Sequence, residues 1–231
     1  MVALLVIATI LAFVLMDLVI QKVEKAYLPQ AASAGAAAME AGHGGAEIPL
    51  RVGQIYMPAN LFFHRGHTWA SVLGTGMVRV GADDFIRKVA GGIEAVSLPK
   101  IGDEVKQGDR LITIGHGQRK VSLPVPVDGV ITAVNAAGTE QGGAGLYETG
   151  WLLEIKPKTL SRNLRTLRIA DSAVQWIKDE TDRLKDFVSG QVYEGKLAGQ
   201  TAADGGLPVD GILARLGDEA WAEFDNKFIE A

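Results

Sequence analysis

Apolar positions follow three different rhythms along the chain. Residues 2–20, VALLVIATILAFVLMDLVI, are apolar except at Thr9 and Asp17. As a helix this run is about 28 Å long, enough to cross a hydrocarbon core. The middle of the chain carries short β-branched and apolar runs punctuated by glycine and proline. They predict strands over Thr68–Leu73, Met77–Val80, Ile93–Leu98, Leu111–Ile114 and Val130–Val134, with Ile48–Tyr56 and Leu61–Phe63 leading in. Asp83–Val89 predicts a short helix capped by Asp83 or Asp84. The last third turns to three- and four-residue spacing. Val174, Ile177, Thr181, Leu184 and Val188 predict one apolar stripe, with Asp171 or Ser172 as cap. Lys178, Asp179, Glu180, Asp182, Arg183, Lys185 and Asp186 fall on the charged face. A final helix is expected over Leu213–Ile229, with Trp221, Phe224 and Phe228 on one face.

These rhythms give four segments: an anchor over 1–25, an Ala/Gly-rich linker over 26–47, a β domain over 48–157 and a helical extension over 158–231. No basic region precedes the first apolar run, which favours an uncleaved anchor over a signal peptide. Lys22 and Lys25 follow it, so the positive-inside rule puts the remainder in the cytoplasm, at an inner or plasma membrane. An inverted topology would make this an outward-facing envelope protein. Gly-flanked short strands imply a compact flattened barrel or sandwich.

Charge and composition mainly exclude. A net charge of −4 gives no reason to expect a nucleic-acid partner. With no cysteine in 231 residues, disulfides and thiolate metal sites are ruled out. His64 and His67 are spaced as a metal pair would be on a helix, but this segment is not helical and no third ligand lies near in sequence. His43 belongs to the linker, and Trp69 and Trp151 are expected in the core. Arg162, Arg165 and Arg168, three apart, are expected along one side of a helical turn as a solvated basic face, the alternative being a contact with anionic headgroups or an acidic partner. Gln200–Gly206 is expected to be a polar loop. No nucleophile–base pair or phosphate loop stands out, so no enzyme activity is expected.

The stretch Leu111–Asn135 organises the rest. It is a strand, a polar turn over Gly115–Lys120, a return strand beginning at Val121–Leu123, and a further strand after Asp128-Gly129. With its flanks it resembles the H protein of the glycine cleavage system, in the lipoyl/biotinyl-carrier superfamily. The resemblance rests on His67-Thr68-Trp69, Val78-Arg79-Val80-Gly81 with Asp84-Phe85, and the run Leu98 to Asp109. It continues through Pro126-Val127-Asp128-Gly129, Val134-Asn135 and Tyr147 to Pro157. The match covers about Met57–Pro157 and implies a mostly β, flattened lipoyl-type barrel-sandwich, here with an N-terminal transmembrane helix and C-terminal helices.

The resemblance also implies where a prosthetic group would attach, and there the sequence departs from it. H proteins carry a lipoate-bearing lysine at the hairpin tip, in a context like E-S-x-K. Counting back without gaps from Pro126–Gly129, that lysine falls on Gln118 and the acidic residue on Gly115. A glutamine amide is not a nucleophile and cannot form the lipoyl amide. Lys120, two residues on, is the nearby amine. The acidic context gives way to His116, Arg119 and Lys120, and Ala136–Gly145 has lost the family's Asn/Pro/Glu-rich loop. The expectation is therefore an unlipoylated, non-catalytic interaction module without a cofactor. Its unidentified protein partner would dock on His116, Gln118, Arg119 and Lys120 or on the C-terminal helices. The alternative is a carrier with covalent lipoate on Lys120.

Overall fold

The computed structural model describes residues 49–52, 54–140, 145–193 and 210–230. The predicted anchor over 2–20, the linker with His43, and the Gln200–Gly206 loop lie outside the described residues. Among the described residues no helix is long and apolar enough to cross a membrane.

Two sheets and a hairpin carry the β domain. β1 (Pro49–Val52) pairs with β2 (Ile55–Pro58). The larger sheet contains β3 (Phe62–Phe63), β4 (Thr68–Val72), β5 (Val78–Ala82), β7 (Glu104–Val105), β10 (Gly129–Val134) and β11 (Leu153–Pro157), in the order β3-β4-β5-β11-β10-β7. The smaller contains β6 (Glu94–Ser97), β8 (Arg110–His116) and β9 (Arg119–Pro124), in the order β6-β8-β9. Neighbouring strands within both sheets are antiparallel. Their inner faces meet over Trp69, Val78, Val80, Ile112, Ile114, Leu123 and Ile155, all completely buried. The strands expected from Thr68 onward form, the lead-in over Ile48–Tyr56 holds parts of two paired strands, β1 and β2, and the fold is mostly β with helices following it.

The motifs behind the resemblance have structural reasons. Gly81 lies under Trp69, where a Cβ would sit 2.7 Å from the indole. Gly129 starts β10 so close to β11 that a Cβ would lie 2.3 Å from the Lys156 carbonyl oxygen. The repeated Lys-x-Gly-Asp makes two like turns. Asp103 Oδ2 accepts the Lys100 N–H (2.8 Å) and Asp109 Oδ2 accepts the Lys106 N–H (2.9 Å). Asp83 caps helix α1 (Asp84–Ala90), accepting the Ile86 N–H at 3.0 Å, and Gly91 ends it in the left-handed region.

The Gly-rich region after Asn135 forms a 3₁₀ turn over Ala136–Glu140 and a short helix α2 (Gly145–Glu148). Two further helices follow β11, α3 (Leu160–Leu164) and α4 (Asp171–Tyr193). α4 is longer than the apolar stripe predicts. Neither Asp171 nor Ser172 acts as its side-chain cap. The Ala170 carbonyl accepts the first amides, and Ser172 Oγ is spent on the Ile169 backbone. The buried face is Ala173, Trp176, Ile177, Glu180, Thr181, Leu184, Phe187, Val188 and Gln191. Val174 is only half-buried. Glu180, placed by sequence on the charged face, turns inward because its carboxylate accepts from Trp176 Nε1 (3.1 Å) and Arg183 (2.6 Å).

The last segment is broken rather than continuous: a 3₁₀ turn at Leu213–Arg215, α5 (Asp218–Phe224) and a π-helical turn at Asp225–Ile229. Leu216 and Gly217 are extended, and Asp218 and Glu219 restart the helix with acidic groups at its positive end. Trp221, Phe224 and Phe228 are buried together as expected. The three arginines share no helical side. Arg162 bonds Asp128 at 2.7 Å, Arg165 follows α3, and Arg168 lies over Trp176 in a bridge to Phe63.

Candidate functional site

The β8–β9 hairpin is tighter than its sequence suggests. Gly115 pairs with Lys120 and His116 with Arg119, so the turn is only Gly117-Gln118. Gly117, at φ 62°, supplies the positive φ that the first centre of a type II′ turn requires. Alternation then fixes the direction of each side chain. Ile112, Ile114, Val121 and Leu123 face the core, and Arg119 continues their row toward the tip. Lys120 falls on the outer row with Thr113 and Ser122, whose hydroxyls meet at 3.0 Å.

The structure brings the four predicted tip residues within one turn but gives them unequal freedom. Gln118 at the apex and Lys120 are exposed. His116 is held, with Nδ1 3.1 Å from the Gly92 carbonyl oxygen. Arg119 is held more firmly. Its Nε donates to Asp218 Oδ1 (2.9 Å), a terminal nitrogen donates to the Ala214 carbonyl (2.9 Å), and its guanidinium lies 5.9 Å from the Trp221 ring centre. At the hairpin base Arg110 donates to the Ser122 carbonyl (2.7 Å) and pairs with both Asp225 and Glu230. Burial pushes the Asp225 carboxyl up despite its arginine partner. These partners are about a hundred residues away in sequence, and no local pattern pointed to them.

His64 and His67 do not form a ligand pair. His64 Nδ1 accepts the Gly66 N–H at 3.0 Å, and burial, then Arg65 and Arg168, lower its pKa to about 4. His67 is fully buried, with Nδ1 2.9 Å from Asp83 Oδ2, and stacks on Phe85 at 4.3 Å. Trp69 is core, whereas Trp151 is half-buried beneath Arg79 at 5.1 Å.

A polar network joins the hairpin region to the helical extension. Asp128, in the turn before β10, accepts the Gln107 N–H (2.7 Å), the Thr159 hydroxyl and Arg162 (2.7 Å). Gln107 Nε2 in turn reaches the Pro126 and Asn163 carbonyls and Thr166 Oγ1. Burial works against the Asp128 charge, but these donors outweigh it and hold the carboxyl well below the usual range.

A β barrel-sandwich with an exposed two-residue hairpin tip is the architecture of a carrier-type domain. The glycine cleavage H-protein family matches residues 61–180, and the chain belongs to that family. A probable glycine cleavage system H protein from Pyrococcus horikoshii is 31% identical over 132 residues, 56% of this chain and 98% of that protein. The glycine cleavage system H proteins of Prosthecochloris aestuarii and Chlorobium phaeobacteroides are 33% and 36% identical over 109 and 100 residues. They cover 46% and 42% of this chain, and 86% and 79% of their own lengths. The crystal structure of an H protein from Mycobacterium marinum superposes with a TM-score of 0.42 at 21% identity, over 54% of this chain and 98% of that one.

A lipoyl arm needs an accessible primary amine at its attachment point. The apex offers the Gln118 amide, which does not fit. The exposed Lys120 amine lies in the second ladder pair below it, opposite Gly115.

Proposed function

We propose that this chain is a non-catalytic H-protein-like module whose hairpin tip docks a protein partner instead of bearing a lipoyl arm. Residues 2–20 tether it to the inner or plasma membrane, with the β domain in the cytoplasm, as a subunit or adaptor of a membrane-associated assembly. Gln118 carries the reading. At the apex, where the family resemblance calls for lysine, stands a side chain that donates and accepts hydrogen bonds but forms no amide with lipoate. Exposed Lys120 adds a cation beside it, which suits a partner surface bearing carboxylates. The helical extension lies mostly beyond the family-matched region and enlarges the surface available for assembly.

A test is co-purification from native membranes in mild detergent. Wild-type protein is expected to bring down a defined subunit, and Gln118→Glu with Lys120→Glu to lose it. Retention of that subunit by the double variant would refute tip docking. Asp17→Leu is expected to leave the protein in the membrane fraction, and its release would refute the anchor.

A second reading is favoured by the solvent-exposed Lys120 amine: a lipoyl carrier modified there, in the manner the family resemblance implies. It predicts that Lys120→Arg abolishes the modification. Conversely, Gln118→Lys with Gly115→Glu is expected to make the tip a better lipoate-ligase substrate.

A further inference from the structure

We propose that the chain's own C-terminal segment, residues 211–230, clamps the hairpin from beneath and that Arg119 is the positioning residue of this clamp. The tip is thereby presented as a fixed element. The proposal deepens the docking reading and rests on it for its functional meaning.

A closed ring of contacts supports it. On the β8 side, His116 is tied to the Gly92 carbonyl just past α1. α1 is tied to the C-terminal segment by the Gly211 N–H, which donates to the Lys88 carbonyl at 2.7 Å. The two backbones touch there, since a Cβ on Gly91 would lie 2.7 Å from the Gly211 Cα. Three residues on, the Ala214 carbonyl accepts from Arg119 and returns the ring to β9. Both strands of the tip are thus fastened to one platform. Arg110 forms a second clasp at the hairpin base through Asp225 and Glu230.

Arg119 suits this role for a chemical reason. Asp218 is 90% exposed, so that ion pair alone contributes little. The planar guanidinium engages Asp218, the Ala214 carbonyl and the Trp221 face together, which an ammonium cannot reproduce. The platform is firm because Leu213, Leu216, Trp221, Phe224 and Phe228 are buried beneath it.

Every C-terminal member of the clamp lies beyond residue 180, where the family match ends. The clamp is therefore added to the H-type domain and acts on its hairpin. A docking element gains from such a clamp, because less ordering remains to be lost on binding.

Hydrogen exchange read by mass spectrometry on the full-length protein in detergent tests this. In Arg119→Ala, peptides spanning residues 112–123 are expected to exchange at least fivefold faster, with Arg119→Lys intermediate. Peptides from β10 and β11 are expected to be unchanged. Unchanged tip exchange would overturn the proposal, as would equal acceleration in β10 and β11, which would make Arg119 a general stability residue. Should Arg119→Ala fail to accumulate folded, Arg119→Lys, which keeps the cation but not the planar fork, gives the same readout. About twofold faster tip exchange is then expected, and no change would overturn the clamp. If the tip loosens in Arg119→Ala while Gln118→Glu with Lys120→Glu still retains the subunit, docking fails and the clamp stands.

Discussion

Replacing Asp128 with asparagine tests how the β domain holds its helical extension. The Asp128 side chain is only 14% exposed, whereas Arg162 is 73% exposed. The Arg162 pair is therefore worth a few tenths of a kcal/mol, at most about 1. The Gln107 N–H and Thr159 hydroxyl are stronger contributors, because each donates to an ionised acceptor at about 1.5 kcal/mol or more. Asparagine preserves the shape and one acceptor oxygen, so Asp128→Asn is expected to cost about 2 kcal/mol. Asp128→Ala also strands the part-buried Gln107 amide, and is expected to cost about 3 kcal/mol.

The pH dependence fixes the electrostatic share. The folded-state pKa of Asp128 is depressed below its ordinary 3.8. The stability it contributes is thus fully present above that value and is lost as pH falls below it toward the folded pKa. Urea unfolding of wild type and Asp128→Asn between pH 3 and 8 is the assay. The difference should be constant from pH 5 to 8 and shrink below about pH 4. A difference under about 0.5 kcal/mol at pH 7, or one that grows on acidification, would refute the reasoning.

His64 works in a higher window. Its pKa falls from 6.5 to about 4 on folding, so the folded state resists protonation. Stability is expected to drop as pH falls from about 6.5 to 4, by at most about 3 kcal/mol. NMR titration of the imidazole should show the low pKa, and a value near 6.5 would contradict the burial. Gly81→Ala forces a methyl against Trp69 and is expected to cost about 1–3 kcal/mol by thermal unfolding, against nearly nothing for Gly74→Ala, where the space is open.

Much of the β domain was legible because its signals are local. The Asp83 cap before α1 and the Asp128-Gly129 start of β10 each sit beside what they shape. The hairpin was legible too, but not the extent of its turn. Gly115 and His116 look like turn residues, yet cross-strand pairing with Lys120 and Arg119 draws them into the ladder. Glu180 was misplaced because a helical wheel cannot show that Trp176 Nε1 and Arg183 both donate to its Oε1. The broken ending of the chain traces to Leu216-Gly217, where one apolar face continues through a backbone that does not. The clamp on Arg119 was invisible for a plainer reason. Ala214 contributes a carbonyl, which has no side-chain signature, and Asp218 resembles any surface acid.

The central claim is that the tip works without an arm. Its most direct measurement is the intact mass of the protein purified from its native membranes, with peptide mapping across Leu111–Val127. The account predicts an unmodified Lys120 and no lipoyl mass on any peptide of the hairpin. A lipoyl adduct on Lys120 would contradict it and make the chain a carrier.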